Sequence, residues 1–154
     1  MARYLSLMLF RTHILFGVLV FFVLARFVEM PFWVLGFVLL GAVFVDFDSS
    51  SSKLGKEFWL FNWWMRHRGM IHSLFFCVLV SLIVGFFSRW AGFGFFVGYL
   101  SHLMLDSFTR MGVGLFWPFG FRVKGFMRSG SWMEDVVFVL LLFVDIWFAF
   151  NYLL

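Results

Sequence analysis

Long apolar stretches alternate with short polar segments along the whole chain, and five of them have the length of a helix: His13 to Val28, Pro31 to Val45, Ile71 to Ser88, Ala91 to Asp106 and Glu134 to Leu154. Runs of 15 or 16 residues fall short of the roughly 17–25 that a spanning helix uses, so those helices need snorkelling arginines, local bilayer thinning or extension into the interface. A tight turn with Glu29 and Pro31 joins the first pair, and Ser88-Arg89-Trp90 leaves room only for a hairpin between the third and fourth. The pattern predicts an all-α, polytopic membrane helical bundle of about five transmembrane helices.

Composition sharpens this reading. Of 154 residues, 64% are hydrophobic and 13% charged, against about 45–50% and about 25% in soluble domains. With 27 Phe and a mean hydropathy of +1.00, a domain this small has more apolar side chain than it can hide from water. The length fits one integral-membrane domain over residues 1–154. Arg3 and Arg11 precede an apolar stretch, but no small-x-small cleavage site follows at Leu24-Ala25-Arg26, so the first helix is expected to stay. The single cysteine, Cys77, lies in an apolar run and reads as a core hydrophobe.

The net charge of +4 is explained by topology. Arg3, Arg11, Lys53, Lys56, Arg66, Arg68, Arg110, Arg122, Lys124 and Arg128 fall with the amino terminus and the two long connections, whereas only Arg26 and Arg89 approach the other side. Ten against two places the amino terminus and long loops in the cytoplasm and the carboxyl terminus outside, in a cell inner or plasma membrane. Nucleic acid is therefore not an expected partner; membrane lipid is. Phe58-Trp59-Leu60-Phe61-Asn62-Trp63-Trp64 and Leu115-Phe116-Trp117-Pro118-Phe119 make these loops aromatic enough to lie at the headgroup level.

The ionisable residues of the apolar runs gather at one end of the expected bundle. His13 opens the first run, Asp46 and Asp48 close the second, His72 opens the third, His102 and Asp106 close the fourth, and Glu134 opens the fifth. An up-and-down topology brings all seven to the cytoplasmic ends. His102 and Asp106, four apart on a helix, project from one face and can share a metal. The carboxylates of Asp46-Phe47-Asp48 point alike only if the chain is extended there. His67 and His72 bracket Arg68-Gly69-Met70-Ile71, where the glycine permits a bend. Imidazole with carboxylate suits Zn²⁺, with Mn²⁺, Fe²⁺ and Mg²⁺ as alternatives. Taken singly, a histidine at a helix end is more often an interfacial hydrogen-bonding residue; the convergence carries the metal reading. Deeper in the runs, either Arg26 pairs with Asp145 or an unpaired Asp145 marks a proton or ion path. Gly92, Gly94 and Gly98 lie inside an apolar run and read as close-packing positions.

With these residues in view, the sequence resembles the YdjM-like family of membrane-bound, metal-dependent hydrolases, related to the zinc-dependent phospholipase C and nuclease superfamily. The likeness runs from about Thr12 to Glu134 through Thr12-His13, Val45-Asp46-Phe47-Asp48, His67-Arg68-Gly69-Met70-Ile71-His72-Ser73, Gly98-Tyr99-Leu100-Ser101-His102-Leu103-Met104-Leu105-Asp106-Ser107, Gly112-Val113 with Trp117-Pro118, and Gly130 with Glu134. It implies that His13, Asp46, Asp48, His67, His72, His102, Asp106 and Glu134 hold a metal or support its ligands. Val45 and Ser49 stand where the family commonly has proline and histidine, and no histidine lies between Gly112 and Glu134, so a mononuclear or dinuclear site is implied.

The resulting expectation is metal-assisted hydrolysis of a phosphoester, such as a lipid headgroup, at the cytoplasmic face. Asp46 or Asp48 would accept the proton of a metal-activated water, and Arg66, Arg68 or Arg110 would hold the phosphate. The competing class is a non-catalytic membrane protein whose metal ties helix ends together. A metal or proton carrier is third, since only Arg26 and Asp145 lie deep.

Overall fold

The computed structural model describes residues 2–48, 70–119, 121–128 and 130–153. Within them the chain is helical: α1 (Ala2–Ala25), α2 (Val34–Phe44), a 3-10 turn (Val45–Asp48), α3 (Leu74–Phe87), α4 (Arg89–Phe108) and α5 (Trp132–Leu153). The only β pairing among the described residues is two isolated bridges, Thr109 with Met127 and Val113 with Val123, which tie the loop between α4 and α5.

Helix ends follow local chemistry and shift the boundaries expected from the apolar runs. The chain turns at Pro31 and Phe32 before α2, with Val34 N–H bonded to Pro31 O at 3.0 Å. Ser73 caps α3, its Oγ accepting from Phe76 N at 3.2 Å, so that helix begins three residues after Ile71. Ser88 serves two helices: its N–H reaches Val84 O at the end of α3, and its Oγ accepts from Ala91 N at the start of α4. The hairpin thus needs one non-helical residue.

α4 is the axis of the packing, lying against α1, α2 and α3, while α5 lies along α1. Its glycines let backbones touch. A Cβ on Gly98 would lie 1.8 Å from Val38 O, and one on Gly41 of α2 would lie 2.2 Å from Phe95 O. Gly98→Ala must therefore push α2 and α4 apart, with a cost of about 1–3 kcal/mol. It should lower the Tm measured in detergent, whereas Gly36→Ala, where an added Cβ meets nothing within 4 Å, should not.

Two apolar clusters hold the bundle. Phe21, Phe22, Met30, Val34, Val38 and Val97 form one, and Val45, Cys77, Phe95, Tyr99, Leu103 and Val113 the other. Cys77 is fully buried, as its apolar surroundings led us to expect. Outside the clusters the helices stay apolar: Phe75, Leu82, Ile83, Phe86 and Phe87 of α3 and Leu140, Phe143, Ile146 and Phe150 of α5 are all exposed. Exposed apolar side chains in this number on two helices suit a surface that faces lipid or a partner.

Among the described residues, no helix is long and apolar enough to cross a membrane. α2 and α4's partner α3 have 11 and 14 residues, about 17 and 21 Å at 1.5 Å per residue, against a hydrocarbon core of about 30 Å. The helical class is as expected, and the division into five spans is not reproduced helix by helix. Arg26 and Asp145 do not pair. Arg26 is exposed, and Asp145 is buried with neither carboxylate oxygen hydrogen-bonded to a described residue.

Candidate metal centre

The site is built on the last two turns of α4. His102 and Asp106, one turn apart, both face inward and are 1% and 4% exposed. His102 Nδ1 lies 2.7 Å from Ala42 O of α2. A carbonyl only accepts, so Nδ1 carries the proton and Nε2 presents a lone pair. That nitrogen has no hydrogen-bond partner among the described residues and lies 3.7 Å from Asp106 Oδ2 and 3.8 Å from Asp46 Oδ1.

Two further imidazoles reach Asp106 from other elements. His13, midway along α1, sets Nε2 3.6 Å from Asp106 Oδ1, and its ring stacks on His102 with centroids 3.9 Å apart. His72, in the turn before α3, sets Nε2 3.6 Å from Asp106 Oδ2. That turn is held by Tyr99 of α4, whose hydroxyl donates to Ile71 O. The two oxygens of Asp106 thus face different imidazoles, Oδ1 toward His13 and Oδ2 toward His72 and His102.

These separations are too long for hydrogen bonds. They are close to the roughly 3.4 Å between two atoms bound tetrahedrally to one ion at about 2.0–2.1 Å. His13, His102 and Asp106 each offer a ligand atom within 4.8 Å of the others, and all three are buried. His102 Nε2 has no hydrogen-bond partner among the described residues, and a buried lone pair beside a buried carboxylate is costly unless something satisfies it. A divalent cation would satisfy it.

The remaining expected residues fall in different places. Asp46 stands at the rim with its side chain 38% exposed. It lies on a 3-10 turn and not on extended chain, so the geometry that would have aligned it with Asp48 is absent. The side chain of Asp48, and all of Arg66, His67 and Arg68, lie outside the described residues. Glu134, at the start of α5, is buried beside the cluster: it accepts from Gly130 N at 2.6 Å and from Thr12 Oγ1 at 3.5 Å. It braces the loop entering α5 against α1. Glu134→Ala is expected to cost roughly 1.5–3 kcal/mol, as for a hydrogen bond to a charged group, and to lower the Tm while leaving metal stoichiometry unchanged. Arg110 is exposed, and its Nε donates to Phe126 O at 3.2 Å within the loop.

One feature had no sequence signal. A cavity of about 30 Å³ lies against His13, lined also by Thr12, Leu105, Thr109, Met127, Arg128 and Glu134. It has room for one or two water molecules. Thr12 neighbours a candidate ligand in sequence, but Thr109, Met127 and Arg128 reach the cavity only because the bridge between Thr109 and Met127 folds the loop back on α4.

A helical, apolar-surfaced bundle with a buried histidine and aspartate cluster defines the class. The family described as YdjM inner membrane protein matches residues 8–153, and the chain belongs to it. It is 30% identical over 106 residues to "Uncharacterized protein YvsG" of Bacillus subtilis, covering 64% of this chain and 66% of that protein. It is also 30% identical over 123 residues to "Inner membrane protein YdjM" of Escherichia coli and of Shigella flexneri, covering 71% of this chain and 63% of theirs. The matches span just under two thirds of these relatives' lengths. No solved structure matches the chain. Membership makes this a membrane protein, in agreement with the exposed carbon on α3 and α5.

Proposed function

We propose that this protein is a membrane-embedded, metal-dependent hydrolase that acts on a phosphoester, such as a lipid headgroup, at the cytoplasmic face. The observation that carries the reading is the convergence of His13, His102 and Asp106 from separate parts of the sequence into one buried group whose candidate ligand atoms lie within 4.8 Å of one another. His13 with Asp106 Oδ1, and His72 and His102 with Asp106 Oδ2, would hold one ion or two, with Zn²⁺ favoured by the donor set. When bound, such an ion lowers the pKa of coordinated water and polarises a phosphoryl oxygen.

The chain's own residues do the rest. Ala42 O fixes the tautomer of His102, so its Nε2 is available without rearrangement. The cavity beside His13 admits water to the cluster while Leu105 and Met127 exclude bulkier groups from that side. Asp46, at the solvent edge of the cluster, is placed to accept a proton and pass it outward. The ten basic residues expected on the amino-terminal side support a cytoplasmic orientation of the centre through the positive-inside rule.

A second reading, a structural metal that ties α1, α4 and the turn before α3 together, is favoured by the near-complete burial of the three imidazoles. The two separate in one experiment. Protein stripped with a chelator and reloaded with Zn²⁺ is assayed on a panel of water-soluble and lipid phosphoesters. Turnover that disappears on stripping and returns on reloading supports the hydrolase; a restored Tm without turnover supports the structural metal.

A further inference from the structure

Toward the carboxyl-terminal end of α1, away from the cluster, lies a larger groove. Val23, Arg26, Phe27, Trp147, Phe148 and Asn151 line a cavity of about 330 Å³ between the carboxyl-terminal ends of α1 and α5, within the size range of ligand pockets. Arg26 stands 13 residues beyond His13, about 20 Å along the helix direction, so the groove is separate from the metal centre. Its lining is almost entirely carbon. Phe27 and Trp147, 84% and 61% exposed, form its walls, and the amide of Asn151 is turned onto Trp147 O at 2.8 Å.

Among the described residues, Arg26 is the one charged group in the lining, and no carboxylate joins it. Arg26 is in none of the ion pairs among the described residues, neither with Glu29 three positions on nor with Asp145. A cation at the rim of an apolar trough, on a protein of an inner-membrane family, has the recognition chemistry of an anionic amphipath: charge-assisted hydrogen bonds for a phosphate and carbon for a chain. A second copy fits less well, because a two-fold contact across this groove would set one Arg26 against the other.

We propose that this groove binds an anionic phospholipid, with one acyl chain along Val23, Phe27, Trp147 and Phe148 and the headgroup phosphate on Arg26. It is independent of the metal reading, since no group of the groove belongs to the cluster. The test uses full-length protein in detergent micelles doped with equal phosphatidylglycerol and phosphatidylcholine, read by native mass spectrometry of the retained lipid. Phosphatidylglycerol is expected to be retained roughly fivefold over phosphatidylcholine, and Arg26→Gln to bring the ratio to about one. Val23→Trp, which fills the trough while keeping the charge, should reduce retention of both. Brominated-chain phosphatidylglycerol should quench wild-type fluorescence more than that of Trp147→Phe, which identifies Trp147 among the eight tryptophans. Equal retention of the two lipids by the wild type, a ratio unchanged by Arg26→Gln, or a dimer that Val23→Trp dissolves would each overturn the proposal.

Discussion

Asp106→Asn should abolish metal retention, with a loss of affinity greater than about 100-fold, and with it all metal-dependent hydrolysis. Supporting residues around metal sites already cost about 10–100-fold when changed, and Asp106 faces all three imidazoles directly. The amide keeps the shape of the side chain but loses the negative charge and one acceptor oxygen, so the three nitrogens would face a neutral group. The fold should survive, because the Asp106 carbonyl still caps α4, accepting from Thr109 N and Thr109 Oγ1, and the amide fills the same space as the carboxylate. Metal analysis and a far-ultraviolet circular dichroism spectrum on the same sample check both halves. Retained metal, or a loss of helicity to match the lost metal, would count against the assignment.

The second large effect is linkage between metal and stability. Ligands drawn from α1, α4 and the turn before α3 come together only in the folded chain, so Zn²⁺ at 100 times its Kd should add about 2.7 kcal/mol. The sign with pH follows from proton competition. Imidazoles must be neutral to bind, so metal uptake releases protons and affinity rises with pH. The metal-induced stabilisation should therefore be larger at higher pH and fall away as the medium is acidified. Thermal scans with and without Zn²⁺ at several pH values measure this directly. A metal-induced increment that is flat across that range, or absent, would contradict imidazole ligation.

How much of this was legible in the sequence varies with the kind of interaction. The meeting of His72 with His102 and Asp106 followed from the alternation of helix ends, and the one-turn spacing of His102 and Asp106 fixed their common face; His13 was expected at the start of its helix and lies midway along α1. The glycines of α4 were readable for the same reason: small residues within an apolar run have little use other than close approach. The 3-10 turn at Val45–Asp48 was not readable, since it depends on how α2 ends against its neighbours, and it changes what Asp46 can do. Nor was the bracing role of Glu134, whose partners Thr12 and Gly130 lie 122 residues behind it and in the loop before it. Arg26 and Asp145 sit at similar depths in the sequence pattern, but depth leaves rotation about the helix axis undetermined, and the two side chains go to different surroundings.

Under the proposed function, imidazole nitrogen and carboxylate oxygen gathered at the end of α4 bind a metal ion. X-ray absorption spectroscopy of Zn²⁺-reloaded protein, with total metal measured on the same sample, tests it most directly. On that reading, one or two ions per chain are expected, in an exclusively nitrogen and oxygen shell with the outer-shell scattering of imidazole. A metal-free protein after reloading, or a sulfur-containing shell that would implicate Cys77, would contradict it.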